Sequence, residues 1–493
     1  MDGKRFLALT CTFLIAGCNI AFAHADDELF KTVIIKDGTE LSVLDCVATA
    51  FRNSPKIKRK KYYLDIAKSN VGIAKSQYFP VIGAGVGFYN ENNSNSIYYN
   101  NHYRELPNVG VSVNKMVWDF GRTTANIRME EFYKLGAEYE FMDSLCSTLF
   151  DVKEKYYKLL KAQALLKIAE NNVEMNKSII KYTNKNPDLI TAKMNLNEAE
   201  VALLEAKNNY LNAKVDLNNS MYLDSQPDYK IENTKTFNFD DDYALNTKKE
   251  PQGFEEYKFK FPREKAVQMA YDNSPDLQVL MATRNAMEQS LIYIKRTYFP
   301  ELSANAGYGF NNTNQASNNS FQVGVNLNSS VNLMELKHSI KGADAQVKLA
   351  DNEITLFKKD LYFEVKRAFN NYDKAKRAIP TTQIRAKQAL DFYPMAENLY
   401  KTGGLDYTAL QDARKDYIDG ISDYIESLYD YNIALIQVEM AMHYHLVDIH
   451  HKTEHAMCYH SEELINHLNE VLGCDEKEVK RFRRKKTEIQ ENL

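Results

Sequence analysis

Glycine and proline are scarce in this chain, 19 and 11 among 493 residues. That composition excludes collagenous and low-complexity polymers and disfavours folds built from many tight turns; it points to long helices. Tryptophan occurs once, at position 118. Of six cysteines, Cys11 and Cys18 fall in an N-terminal leader, and Cys46, Cys146, Cys458 and Cys474 are scattered over the remainder. So few thiols in so long a chain make no disulfide framework, and only Cys458 and Cys474 are close enough in sequence for a local bridge. No run of 18 or more apolar residues follows the leader, so an exported chain of this kind is either soluble or enters a membrane by strands. Basic residues show no excess, with 62 Lys and Arg against 66 Asp and Glu and a net charge of -4. This argues against nucleic acid as a partner, because phosphate binding needs a concentrated basic face. The one basic run, Lys480 to Lys486, reads as a solvated tail. Catalytic signatures are missing as well: there is no Gly-x-Ser-x-Gly, no His-Glu-x-x-His and no phosphate-cradling glycine loop. The expectation is a non-enzyme without a cofactor.

The leader has a basic start (Lys4, Arg5), an apolar run from Phe6 to Ile15, and a small-x-small exit ending at Ala25. An apolar run this short is an export signal and not a membrane span. Two processing readings stand side by side: cleavage after Ala25, making residues 1–25 a signal peptide, or cleavage after Gly17 in Ile15-Ala16-Gly17-Cys18, freeing Cys18 for lipidation.

What the chain does have is a long internal repeat. Asn53-Ser54-Pro55 followed by Tyr78-Phe79-Pro80 returns as Asn273-Ser274-Pro275 followed by Tyr298-Phe299-Pro300, displaced by 220 throughout. A period this long, carrying helical and strand-like text in one order, marks a duplicated structural unit. Residues 41–222 form the first copy and 263–450 the second, with a polar linker at 223–262 and a polar tail at 451–493.

Each copy begins with helical text, over 41–77 in the first, and then alternates apolar and polar residues. The alternation predicts strands at 81–92, 105–118, 301–312 and 320–333. Phe321, Val323, Val325 and Leu327 share one face and Gln322, Gly324, Asn326 and Asn328 the other. About ten residues per strand suits a membrane-spanning barrel; a soluble sheet with one wet face is the competing reading. Four strands cannot close a barrel alone.

Long helices follow. From Thr123 to Asn186 there is one glycine and no proline, and Leu145, Leu149, Val152, Tyr156, Leu159, Leu166 and Val173 keep a heptad register. Ala192, Leu196, Ala199, Leu203, Ala206, Tyr210, Ala213 and Leu217 then step by four and three. Leu410 to Met442 repeats this seam in the second copy, with Arg414 inside it. Such seams need helical neighbours. Pro380 and Pro394 predict a kink or break in the helix before the last.

These residues resemble the TolC family of outer-membrane channel proteins over roughly 41–450. The resemblance rests on the duplicated Asn-x-Pro helix running into a strand, on Val117-Trp118-Asp119-Phe120-Gly121-Arg122 at a strand exit, and on Tyr400-Lys401-Thr402-Gly403-Gly404 before the last long helix. It implies a mixed membrane fold: long antiparallel α-helices forming a periplasmic α-barrel, plus four transmembrane β-strands per chain that make a 12-stranded β-barrel as a homotrimer. It also implies location in the outer membrane of a Gram-negative bacterium, in contact with outer-membrane lipid. The implied partners are a periplasmic adaptor protein and an inner-membrane RND or ABC transporter, in a tripartite efflux pump or type I secretion system. The alternative from another class is an exported coiled-coil scaffold without a pore.

The resemblance further implies site residues. Two gate aspartates of the family fall on Ala409 and Asp412, so only Asp412 carries over. Asp188 matches a residue that latches the mouth, but the arginine it would meet is Leu405 here, leaving Asp406 or Lys193 as other closing contacts. Pro187, Asp188, Gly403 and Gly404 mark the hairpin tips that would touch the adaptor. Trp118, Tyr78, Phe79, Tyr298 and Phe299 sit at strand ends, where ring and polar edge suit a lipid–water boundary; ordinary packing at a domain joint is the other reading. In the second copy the strand exit reads Asn332-Leu333-Met334, without the Gly-Arg step, so its joint is expected to differ. Seven of ten histidines lie between His443 and His467; His451, His455 and Cys458 have helical spacing for a metal, though free polar tails often carry such residues without binding anything.

Overall fold

The computed structural model describes residues 32–90, 105–183, 186–231, 259, 261–312 and 317–443. A short strand β1 (Glu40–Leu41) precedes helices α1 (Val43–Asn53) and α2 (Pro55–Ser76). Strands β2 (Val81–Asn90) and β3 (Glu105–Trp118) lead into α3 (Arg122–Tyr182) and α4 (Asn186–Ser220). A two-residue strand β4 (Lys230–Ile231) pairs in parallel with β1. The order then repeats: α5 (Arg263–Asn273), α6 (Pro275–Arg296), β5 (Glu301–Asn312), β6 (Ser317–Asn328), α7 (Leu333–Lys401) and α8 (Tyr407–Met442).

The helical stretch expected over 41–77 is two helices. Pro55 has no N–H to continue α1, and Ser54 caps a new helix by accepting the Ile57 N–H at 3.3 Å. Ser274 does the same for Leu277 at 3.3 Å, with Pro275 next to it. Proline is tolerated in a first turn because its missing donor would have no partner there.

α3 and α7 are 61 and 69 residues long, about 90 and 100 Å at 1.5 Å per residue. Of the kink or break anticipated at Pro380 and Pro394, a break does not occur: α7 runs through both. Each proline costs on the order of 3 kcal/mol in a helix interior. Burial of Ile379, Ala386, Tyr393 and Ala396 opposes that cost, because these side chains sit in the cores shared with α8, and Tyr393 packs on Tyr417 with ring centroids 5.3 Å apart.

β2, β3, β5 and β6 form one antiparallel sheet in that order, which joins the two copies through β3 and β5. The register puts Leu302, Ala304, Ala306 and Tyr308 opposite Leu327, Val325, Val323 and Phe321 on one face. On the other face Gly85, Gly110 and Gly309 lie side by side, flanked by Ser112 and Asn114. The copies are also bolted together in the helical part. Lys153 Nζ of α3 donates to Glu439 Oε2 of α8 at 2.6 Å, and both side chains are almost wholly buried. Removing one partner of such a pair would leave a buried charge unmatched, typically a loss of about 3–5 kcal/mol.

Candidate functional site: sheet, joint and tip

Three regions can carry function. In the sheet, the apolar face is uncovered: Phe321, Val323, Val325 and Leu327 are about 65–74% exposed. With the outer edges of β2 and β6 unpaired among the described residues, this is a sheet fragment that is unstable in water alone.

One irregularity re-aims a side chain. Alternation along β3 would place position 118 on the glycine-bearing face with Ser112, Asn114 and Met116. A bulge between Met116 and Trp118 inserts Val117, and Trp118 then pairs with Leu302 on the apolar face. Bulges are a common means of turning a side chain to the other face. Nothing in the period-two pattern predicts this one.

At the joint below the sheet, Phe120 and Gly121 both take left-handed backbone angles, φ 55° and 81°. The Asp119 carboxylate stabilises the turn, accepting the Gly121 N–H at 3.0 Å and the Thr123 N–H at 2.5 Å, which satisfies free donors at the start of α3. Phe120 stacks on Phe299 of the other copy, centroids 5.1 Å apart. Arg296 Nη1 donates to the Gly121 carbonyl at 2.7 Å, and the Arg122 guanidinium pairs with Glu301. The joint thus ties the exit of one copy to the sheet entry of the other. In the second copy Asn332 alone caps α7, accepting from Met334 and Glu335 N–H at 3.1 and 3.3 Å, so the two joints differ as the missing Gly-Arg step predicts. The aromatics Tyr78, Phe79, Trp118, Tyr298 and Phe299 are all exposed here, and the Tyr78 hydroxyl lies 2.8 Å from Thr124 Oγ1.

At the far end of the helices, Gly403 and Gly404 have a structural reason. α7 ends in a Schellman motif: Gly404 N–H donates to Leu399 O at 2.8 Å, Gly403 N–H to Tyr400 O at 3.1 Å, and Gly403 is left-handed at φ 81°. Asp406 caps α8 by accepting the Ala409 N–H at 3.3 Å. Asp412 is exposed one turn further on, Pro187 is exposed at the start of α4, and Asp188 is half-buried beside it. The negative charge of Asp188 reaches Tyr407 and contributes to raising its phenol pKa, after burial as the main cause. Leu405 is partly buried and packs against the core.

Sequence reasoning missed the polar seam that joins the hairpins here. The Asn195 side-chain amide donates to Tyr407 Oη at 3.3 Å, Gln411 Nε2 to the same oxygen at 2.7 Å, and Arg414 Nε to Gln411 Oε1 at 2.8 Å. The Arg414 guanidinium also reaches Asn172 Oδ1. Burial lowers the Arg414 pKa. Tyr182 of α3 donates to Glu397 of α7 at 2.9 Å, and Lys401 shares that carboxylate. The only signal in the sequence was an arginine inside an apolar seam.

Cys46 and Cys146 are buried and neither forms a disulfide with a described residue, and burial raises the Cys46 pKa to about 12, which makes it inert. Among the described residues no group of three or more His, Cys, Asp or Glu could hold a metal, and no helix is long and apolar enough to cross a membrane. Cys18, His451, His455 and Cys458, together with the leader, most of the linker and the tail, lie outside the described residues.

Residues 47–221 and 266–442 match the family model described as outer membrane efflux protein, one stretch per copy. No curated sequence matches. Among solved structures the chain is similar to the CmeC outer membrane channel of Campylobacter jejuni, with a TM-score of 0.68, 15% identity and coverage of 85% of this chain and 91% of that one. It is similar also to the outer membrane protein VceC of Vibrio cholerae, with a TM-score of 0.67, 13% identity and 81% and 95% coverage. For the open state of the Neisseria gonorrhoeae MtrE channel the values are 0.65, 10%, 84% and 94%. The chain belongs to the outer membrane efflux protein family. It is an outer-membrane protein of the TolC type, with strands for a β-barrel and long helices extending into the periplasm.

Proposed function

We propose that three copies of this chain form a duct that exports solutes or polypeptides from the periplasm, driven by an inner-membrane transporter and joined to it by a periplasmic adaptor. The observation that carries this is the four-stranded sheet: one face is apolar and exposed, and both of its edges lack a partner within the described chain. Three such sheets joined edge to edge close a twelve-stranded barrel, satisfying every backbone group and giving the apolar face to lipid. The strands, 10 to 14 residues long, have the reach of about 9–11 residues that a tilted spanning strand needs. Trp118, Tyr78, Phe79, Tyr298 and Phe299 then ring the periplasmic boundary. Lys115, the one charge among the described side chains of the lipid face, lies close enough to that boundary to extend its stem toward water.

The helices support the same assembly. α4 packs on α3 through its small-and-large seam, but a second stripe, Ile190, Met194, Val201, Leu204, Leu211 and Val215, keeps heptad spacing and is exposed. Covering what remains exposed of each of these side chains is worth roughly 1–2 kcal/mol, and the next subunit is the occupant that a closed helical barrel supplies. At the tip, Asp412, Asp188 and Asp406 face the narrow mouth, and Pro187, Gly403 and Gly404 offer the hairpin ends to the adaptor. Efflux and type I secretion both fit this duct.

Planar-bilayer conductance of the detergent-extracted protein, with its mass measured in the same preparation, tests the reading. The expected result is discrete channels from a trimer, with cation preference reduced in Asp412→Ala. A water-soluble protein that never inserts would favour a coiled-coil scaffold instead.

A further inference from the structure

The wall of the sheet opposite the lipid face carries almost no charge, and this deepens the channel reading, on which it rests. The four strands hold three acidic or basic residues, Glu105, Lys115 and Glu301. Register puts Lys115 opposite Ala304, on the apolar face, and Glu301 opposite Asn328, on the polar one. Among the described side chains of the polar face, Glu301 is therefore the single charge. It sits at the periplasmic end of β5, where the barrel meets the helices, and the Arg122 guanidinium is bonded to it. The other described side chains of that face are glycine, serine, amides and two apolar residues.

We propose that Arg122 masks Glu301 at the base of the barrel, so that the barrel section passes cargo without regard to its charge and discrimination is left to the helical end. Closure of three copies would set three Arg–Glu pairs around the bore. Unmasked, three carboxylates in a ring would act as a cation-selective constriction. Masked, each pair is a short dipole whose field dies within a few ångströms in water. The pair is partly exposed, with side-chain exposures of 24% and 39%, so water and small ions can reach it. A purely mechanical role, bolting α3 to β5, would make the same contact but leave permeation indifferent to it.

Reversal potentials across planar bilayers separate the two. Arg122→Gln should raise the cation-to-anion permeability ratio by about twofold or more, Glu301→Gln should lower it through the bared guanidinium, and the double variant should return to the wild-type value. The shifts should grow as salt falls from 0.1 M to 0.01 M, because the screening length rises from about 10 to 30 Å. If Arg122→Gln fails to assemble, Glu301→Gln decides, with Arg122→Lys expected to keep the wild-type ratio. Assembled single variants with unchanged reversal potentials at low salt would overturn the proposal while leaving the channel intact. A wild-type protein that forms no channel would sink the channel reading and this inference with it.

Discussion

The two strand-to-helix joints occupy equivalent places in the duplicated chain and are built by different chemistry. In the first copy the turn is left-handed at two successive residues, capped from upstream by Asp119, and fastened to the second copy by Arg296, Phe299 and Glu301. In the second copy one asparagine caps α7. Duplication supplies the topology twice, but the sheet needs to be tied across the copies at only one place, where β3 lies beside β5. The other joint lies beside the outer strand β6, which pairs with β5 alone among the described residues.

The largest effect should come from Gly121→Ala. A Cβ there would lie 2.7 Å from Arg296 Nη1 and would hold a left-handed angle that alanine resists. Backbone strain of about 1–2 kcal/mol and a lost hydrogen bond to a charged group of about 1.5–3 kcal/mol together predict roughly 3 kcal/mol. Thermal unfolding followed by helical circular dichroism in detergent should show it, and an unchanged melting temperature would mean that the cross-copy fastening is dispensable. Next, Asp119→Ala should cost about 2 kcal/mol and Asn332→Ala about 1 kcal/mol or less, both within the range for lost helix caps. Equal losses in the same assay would contradict the asymmetry of the joints.

The smallest effect concerns a site where the copies diverged in charge. Lys56 and Asp276 are equivalent by the 220-residue period, and Asp143 of α3 is influenced by both. Burial chiefly, then Asp276, raises its pKa to about 6, with Glu140 adding and Lys56 and Lys60 opposing. A carboxyl whose folded pKa is raised binds its proton more tightly when folded. The stabilisation it provides is complete below the unfolded value near 4 and is lost as pH rises through 6. Asp143→Asn should therefore stabilise the protein at pH 7, by about 1 kcal/mol after allowing for solvent screening, and make no difference at pH 4. Melting curves at the two pH values check this, and a variant that is less stable at pH 7 would refute it.

Much of the architecture was legible because its signals are local and repeated. Period-two alternation at Phe321 to Leu327, heptad spacing through Leu145 to Val173, and the duplicated Ser-Pro and Tyr-Phe-Pro steps each report a backbone conformation through nearby residues. The glycines at 403 and 404 were legible as a tip, and the structure supplies their hydrogen bonds. Other features were not legible. Pro380 and Pro394 read as a kink or break, and the helix is unbroken, because propensity counts the missing N–H and not the cores of α7 and α8 that hold the helix together. The Arg414–Asn172 contact spans 242 residues, and no local pattern encodes a partner so distant.

By itself, then, the sequence determined the kinds of element, their order and their duplication, since helix and strand periods, caps and turn residues act over a few positions. Only the tertiary structure decided which side Trp118 faces, which copy Arg122 and Arg296 grip, and where the buried charges Lys153 and Glu439 meet. Those outcomes depend on register and on residues hundreds of positions apart being brought within hydrogen-bond distance. Contacts of that kind form only when the whole chain packs.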